Sequence, residues 1–461
     1  MIGGSDAGIS AALRARELDP AAEVTVVLED AYPNFSICGI PYYVSGEVTH
    51  WRNLAHRTLA DLEAAGMRLR LDTTACRIDV PGRKLLISTA DGAEELLGYD
   101  KLIVGTGAVP VRPPITGLAG PAALGPADGV HLLHSMGDTF AVMTTLEQAA
   151  PATAVIVGAG YIGLEMADAL TIRGLAVTQM EQLPEVLPTV DPELGALVHA
   201  ELAARGVQVL TGTTVRAISK APPGAAGRLE VTATAADGTT VARTADMVLV
   251  VVGVRPETAL AAEAGATLGV KGAIAVDPQM RTSLPDVFAA GDCVITRHRL
   301  LGETYLPLGT TAHKQGRVAG ENALGGNRAF AGSLGTQVVK IFDQAAARTG
   351  LRDHEARAAG FDPVTVASAA DDHKAYYPGS HRITMRVTGD RATGRLLGLQ
   401  LFGHRHAEIA KRIDIAAAAI FNHMTVDTVS DLDLSYTPPL GSPWDAVQMG
   451  AQAWTRHIRP H

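Results

Sequence analysis

Cys38 stands in the stretch Asn34 to Gly46, NFSICGIPYYVSG, a few residues past a strand-like run. Ser36 is of the residue type that caps helix N-termini. Cys38 is therefore expected in the first turn of a helix, where open N–H groups and the macrodipole favour a thiolate. A thiolate is the attacking group of thiol–disulfide exchange. The bland alternative for a lone cysteine is a small buried hydrophobe. The nucleotide-type motifs around Cys38 favour redox chemistry. Cys76 follows a strand-like segment and Cys293 follows a Gly-Asp pair, and both are expected to be structural thiols.

Two glycine-rich turns must organise the chain around this thiol. The first is MIGGSDAG, with Gly3, Gly4 and Gly8, then an Ala/Leu-rich helical pattern. Its spacing is close to G-x-G-x-x-G, whose glycines let a diphosphate approach a helix N-terminus. Ser5 takes the middle glycine position and offers a hydroxyl to a phosphate. The strand Glu23 to Glu29 ends in an acid 21 residues after Gly8, near the spacing of a ribose-binding carboxylate. Almost nothing precedes Gly3, so Met1 and Ile2 are expected to be the tail of a strand that is shortened or starts outside this chain.

The second turn, VIVGAGYIGLEMADAL, has all three glycines, Gly158, Gly160 and Gly163. The next strand, Ala176 to Met180, ends in Glu181, 18 residues after Gly163. A carboxylate there accepts from a ribose diol and repels a 2′-phosphate, which favours NADH over NADPH. Further on, Gly291-Asp292 closes a strand and can bring a carboxylate to a ligand at the C-terminal edge of a sheet.

With 461 residues, two or three domains are expected. The net charge of −9 and the lack of a basic block argue against nucleic acid or an anionic membrane as partner. Apolar runs such as Val248 to Val252 are too short to span a bilayer. Three cysteines without a signal peptide fit a reducing, cytoplasmic setting. Neither a Cys-x-x-Cys pair nor a metal-spaced Cys/His cluster is present, so no metal is expected. From about Gly335 the character changes to alternating strands (Thr336 to Phe342, Ile383 to Val387, Leu396 to Phe402) and a helix, Ala407 to Phe421, which reads as an α+β domain.

Taken in order, the GGSDAG turn, the VGTGA turn, GAGYIGLE, GVRPET and AAGD resemble the flavin-dependent pyridine nucleotide-disulfide oxidoreductases over essentially the whole chain. The resemblance implies an α/β fold with two Rossmann-like nucleotide-binding domains, for FAD and NAD, and a C-terminal α+β dimerisation domain. Its expected boundaries are 1–118 and 251–334 for the FAD domain, 119–250 for NAD(P)H and 335–461 for the interface of a homodimer. It adds Thr106, Gly107 and Gly253 to the cofactor-binding residues, and Tyr161 as the side chain shielding the flavin.

Tyr43 replaces the second cysteine of the two-cysteine members. The chain is thus similar to the single-cysteine branch of coenzyme A disulfide reductases, NADH oxidases, NADH peroxidases and persulfide reductases. Asn34 to Tyr42 is similar to the reductase pattern Ser-Phe-x-x-Cys-Gly-Leu-Pro-Tyr, with Asn34 for the first serine. Peroxidases carry a histidine in the first turn, where Asp6 and Ala7 stand here. The resemblance assigns Ser10, Arg14, Asn34 and His313 to substrate contact. It assigns Tyr436, Tyr376 and Tyr377 to the active-site sulfur, with Tyr436 reaching across the dimer. Trp444 replaces a lysine that would pair with a phosphate of coenzyme A.

The implied reaction passes electrons from NADH (NADPH being possible) through FAD to sulfur at Cys38, whose thiolate then attacks a small disulfide or persulfide. One of the three tyrosines protonates the leaving thiolate, with His313 the weaker candidate. Two alternatives stay open: an NADH oxidase cycling Cys38 through a sulfenate, and a low-turnover NADH-sensing flavoprotein.

Overall fold

The computed structural model describes residues 1–459. The chain divides into two compact units, one of residues 1–111, 134–140 and 253–333, the other of residues 112–133, 141–252 and 334–461.

The first unit is built on parallel strands. Val24–Val27 pairs with Met67–Arg70, and Leu102–Val104 pairs with Val287–Ala289. Ile2 joins the two pairs through parallel bridges to Val27 and Val104. Its N–H donates to the Ile103 carbonyl (2.9 Å), and its carbonyl accepts from Gly105 (2.8 Å). The expected tail of a central strand is thus a single bridging residue with Met1 beside it. The same strand pairs line a groove of 740 Å³ that includes Val24, Thr25, Leu102 and Ile103. Helix Asp6–Leu18 follows the glycine turn directly. It packs against helix Gly309–Ala323 through glycines, since a Cβ at Gly316 or Gly320 would lie 2.2 Å from the carbonyl oxygen of Ala7 or Ala11.

The second unit holds two five-stranded sheets. One is parallel, in the order Gln208–Leu210, Ala176–Met180, Thr153–Val157, Met247–Val250, Val130–Leu132. The other is antiparallel, in the order Gln337–Ile341, Gln344–Gly350, Leu396–His404, Arg382–Asp390, Pro363–Asp371, with helices Ile409–Phe421 and Ala446–Ile458. The expected strands and helix of the C-terminal part therefore form within three residues of their expected ends.

Within the second unit, residues 141–252 pack with the C-terminal part from residue 334 through buried polar contacts. Buried Asp168 accepts from Lys340 Nζ (2.7 Å) and the Phe342 N–H (3.0 Å). Asp191 accepts from Arg386 Nε (2.6 Å) and Gln400 Nε2 (2.9 Å). Residues 134–140 join the first unit because the Phe140 ring packs on Tyr32 and Trp51, at 5.3 and 5.4 Å between centroids.

Candidate active site

Cys38 is exposed. It lies in a single 3-10 turn, Ile37–Gly39, followed by the six-residue helix Ile40–Ser45. The thiol is thus in the first turn after Ser36, as expected, but that turn is 3-10 and the α-helix behind it is short. Ser36 occupies the cap position, but its hydroxyl caps nothing. Six residues give too weak a dipole to explain an activated thiolate. What fixes the loop is packing. Tyr32, Phe35, Trp51 and Phe140 form an aromatic cluster with centroid separations of 5.3 to 6.0 Å. Gly39 lets Leu54 close on the turn, since a Cβ there would lie 2.6 Å from Leu54 Cδ2. The Ser36 N–H donates to the Leu54 carbonyl (2.8 Å).

Four residues upstream, Asn34 adopts a left-handed backbone (φ 57°), a conformation asparagine tolerates better than most residues. Its N–H donates to the Gly4 carbonyl (2.8 Å) and its carbonyl accepts from the His56 N–H (2.9 Å), tying the cysteine loop to the first glycine turn. Its side chain is 1% exposed, yet Oδ1 has no hydrogen-bond partner. An orphaned buried acceptor costs about 1–3 kcal/mol, and a hydroxyl or N–H of a bound group removes that cost.

The rest of the first turn also fits a dinucleotide. A Cβ on Gly3 would lie 2.0 Å from the Gly105 carbonyl oxygen, and one on Gly8 would lie 2.0 Å from that of Gly3. Only glycine closes this turn. Gly4 packs on Leu28, and Ser5 is exposed at the helix N-terminus. A cleft of 350 Å³ is lined by Gly3, Leu28, Glu29, Cys76, Thr106 and Glu257. Cys76 thus lies exposed in this cleft, beside a register shift in its strand. Cys293 is buried in the core. The Thr106 hydroxyl donates to the Glu257 carbonyl (2.5 Å), and the Gly107 carbonyl accepts from the Glu257 N–H (3.0 Å). Gly253 takes φ 104° where its carbonyl accepts from Val111. Gly291 packs its Cα against Ala7, and burial together with the Asp6 carboxylate pushes the neighbouring Asp292 carboxyl up to about 6. A buried carboxyl at a strand end suits a polyol chain, to which it can donate or accept.

The fold brings Ser10, Asp6 and His313 together from opposite ends of the unit. Ser10 Oγ lies 2.8 Å from His313 Nδ1, and His313 Nε2 lies 3.4 Å from Asp6 Oδ1. His56 joins them with its ring edge-on to that of His313. Sequence reading missed His56, because no spacing links it to Asp6 or His313. Arg14 is on the same helix as Ser10, but Glu17 and Glu321 already neutralise it (2.9 and 2.6 Å).

In the second unit, Gly158 (φ 105°) and Gly163 again need their missing Cβ atoms, which would lie 2.6 Å from the Val251 carbonyl oxygen and 2.2 Å from that of Gly158. Gly160 has nothing within 4 Å of its Cβ position, the open side a diphosphate needs. Glu181 is buried, and both its oxygens already accept backbone N–H groups, from Ala159 (2.7 Å) and Leu183 (2.9 Å). It builds the turn. The Tyr161 hydroxyl lies 3.2 Å from Thr189 Oγ1, and burial pushes its pKa up. Tyr376, Tyr377 and Tyr436 are exposed, as are Leu440 and Trp444. The Tyr376 hydroxyl bonds to Tyr436, and partial loss of water together with that bond raises its pKa.

Residues 1–316 match the pyridine nucleotide-disulphide oxidoreductase family and residues 336–446 match the dimerisation domain of that family. The chain belongs to this family. It is 32% identical to an NADH oxidase of Methanocaldococcus jannaschii over 98% of this chain and 97% of that one. It is 33% identical to a CoA-dependent NAD(P)H sulfur oxidoreductase of Pyrococcus furiosus, over 96% of each. Among solved structures, an NAD-dependent persulfide reductase from A. fulgidus superposes with a TM-score of 0.91 at 36% identity, covering 99% of this chain and 82% of that one. As a member, this protein is an FAD- and NAD(P)H-dependent oxidoreductase. None of its described helices is long and apolar enough to cross a membrane.

Proposed function

We propose that this protein reduces a small-thiol disulfide or persulfide, of the coenzyme A class, through Cys38. The observation that carries the reading is the exposed Cys38 thiol with Tyr43, not cysteine, five residues on. One cysteine forms a mixed disulfide or persulfide with its substrate, where a pair would close on itself. Relatives named as sulfur and persulfide reductases support the choice.

In this reading Gly3, Ser5 and Gly8 hold the FAD diphosphate, Glu29 a ribose, and Asp292 the polyol. Gly158, Gly160, Gly163 and Glu181 hold NADH. Bound FAD supplies the relay of two electrons from nicotinamide to sulfur. Cys38 carries the substrate sulfur, His313 and Ser10 line its approach, and Tyr436, hydrogen-bonded to Tyr376, donates the proton to the leaving thiolate. The exposed Tyr377, Leu440 and Trp444 suit the interface of a homodimer working in a reducing cytoplasm.

The test is anaerobic NADH oxidation with coenzyme A disulfide, coenzyme A persulfide and cystine, run beside Cys38→Ser. Turnover with one of them, abolished in the variant, is expected. A variant that keeps full sulfur-reducing activity refutes the proposal. The M. jannaschii relative favours one second reading, an NADH oxidase. NADH loss only once air is admitted would select it.

A further inference from the structure

Asp6, His56 and His313 converge although no sequence spacing connects them. Each offers one ligand atom, and all three atoms lie within 4.8 Å of one another. The Asp6 Oδ1 to His313 Nε2 distance, 3.4 Å, is long for a hydrogen bond. It is close to the edge of a tetrahedron whose arms are about 2.1 Å, the usual zinc–nitrogen and zinc–oxygen length. Ser10 fixes the ring of His313 from behind, its Oγ 2.8 Å from Nδ1. A histidine whose other nitrogen is held this way presents Nε2 in a set tautomer, as metal-bound histidines do. Asp292 adds a second carboxylate near enough to repel Asp6, so a cation is electrostatically welcome. Gly309 leaves the room the Asp6 carboxylate needs, since a Cβ there would lie 2.9 Å from Oδ2. His56 is exposed, so its ring can swing to close the triangle.

We propose that Asp6, His56 and His313 form a site for a divalent transition metal of the zinc class, which inhibits the enzyme by occupying His313. Two imidazoles and one carboxylate suit zinc, cobalt or nickel and are a poor set for magnesium or calcium. Three protein ligands leave a fourth position for water or a thiolate. Metal binding stands on geometry alone. Only the inhibitory consequence rests on the proposed role of His313 in substrate approach, and the two are read out separately.

The FAD-loaded protein, freed of metal by a chelator, is titrated with Co²⁺ followed by its visible absorption, and with Zn²⁺ by calorimetry. One metal per chain is expected, with Zn²⁺ displacing Co²⁺. His56→Asn should weaken binding by about 100-fold and Ser10→Ala by about 10-fold. The His56 side chain caps no element, so His56→Asn should fold and keep its NADH oxidation while losing Zn²⁺ inhibition. The competing place on this chain is the stack of His381, His404 and His406, with ring centroids 3.9 and 5.1 Å apart. His404→Asn is expected to change nothing. No stoichiometric binding, equal binding by wild type and His56→Asn, or loss on His404→Asn would each overturn the site. Binding without inhibition would leave the site standing and overturn its role at His313.

Discussion

The carboxylate of Glu181 holds the second glycine turn closed by accepting the Ala159 N–H at 2.7 Å. Its other oxygen accepts from Leu183. A residue that sequence spacing assigns to choosing between NADH and NADPH is therefore also a brace for the turn that binds either. Glu181→Ala should weaken NADH binding by about 10- to 100-fold, the cost of one or two charge-assisted hydrogen bonds. NADPH should gain little, because the turn that receives its diphosphate is lost as well. Titration of each nucleotide by quenching of protein fluorescence reads both. A clean switch of preference with NADPH bound as tightly as NADH was would mean that Glu181 has no bracing role.

The packing of the first helix makes a second prediction. Gly316→Ala puts a Cβ 2.2 Å from the Ala7 carbonyl oxygen, with backbone and not a flexible side chain in the way. Overpacking of this kind costs about 1–3 kcal/mol. Because Ala7 sits in the first turn of helix Asp6–Leu18, the displaced helix N-terminus should also release FAD more readily. Gly98→Ala is the control, since nothing lies within 4 Å of its Cβ position, and it should stay within about 0.5 kcal/mol of wild type. Thermal unfolding and flavin retention on a desalting column measure the two effects.

Much of this was readable in the chain itself, and the reasons are local. Gly8 and Gly163 are fixed by the carbonyls of Gly3 and Gly158, five residues before each, so their spacing carries the turn, whereas Gly3 and Gly158 meet Gly105 and Val251 only through the fold. The strands of the C-terminal sheet show themselves by alternation. Three things stayed hidden. The 3-10 turn at Cys38 depends on Leu54 and the aromatic cluster, which are tertiary partners. The packing of residues 141–252 with the C-terminal part depends on Asp168 and Asp191, whose partners lie far along the sequence. His56 meets His313 only through the fold. The pairing of Arg14 with Glu321, which reaches it from a distant helix, is hidden in the sequence for the same reason.

Glu355 supplies the pH prediction. Burial pushes its carboxyl up, but hydrogen bonds from Arg352 and Arg348 outweigh this and hold it at about 2. Arg348 also donates to the Thr189 and Gly350 carbonyls, and Arg352 to Pro188. A folded-state value below the ordinary 4.5 means the contribution is complete above pH 4.5 and disappears as pH falls toward 2. The site is partly open to solvent, so screening reduces the gain to about 1–2 kcal/mol. Glu355→Gln should therefore be less stable than wild type by that amount at pH 7, with the gap narrowing below pH 4.5 and closing near pH 2. Urea unfolding of both proteins across this range measures it. A gap independent of pH would mean that shape, not charge, is what Glu355 provides.

Asn34 permits a test of the flavin site that needs no turnover. Its Oδ1 is buried without a partner, while its backbone (φ 57°) suits glycine as well as asparagine. Asn34→Gly removes the orphaned oxygen without straining the chain and leaves the backbone bonds to Gly4 and His56 intact. In the flavin-free protein the change should be neutral to slightly stabilising, because it removes a buried acceptor that makes no bond. In the flavin-loaded protein it should weaken FAD by about 10-fold, the worth of one hydrogen bond made in a dry site. Flavin titration of the apoprotein, paired with thermal unfolding of both forms, separates the two. Equal destabilisation with and without FAD would assign Asn34 to the architecture of the Cys38 loop alone.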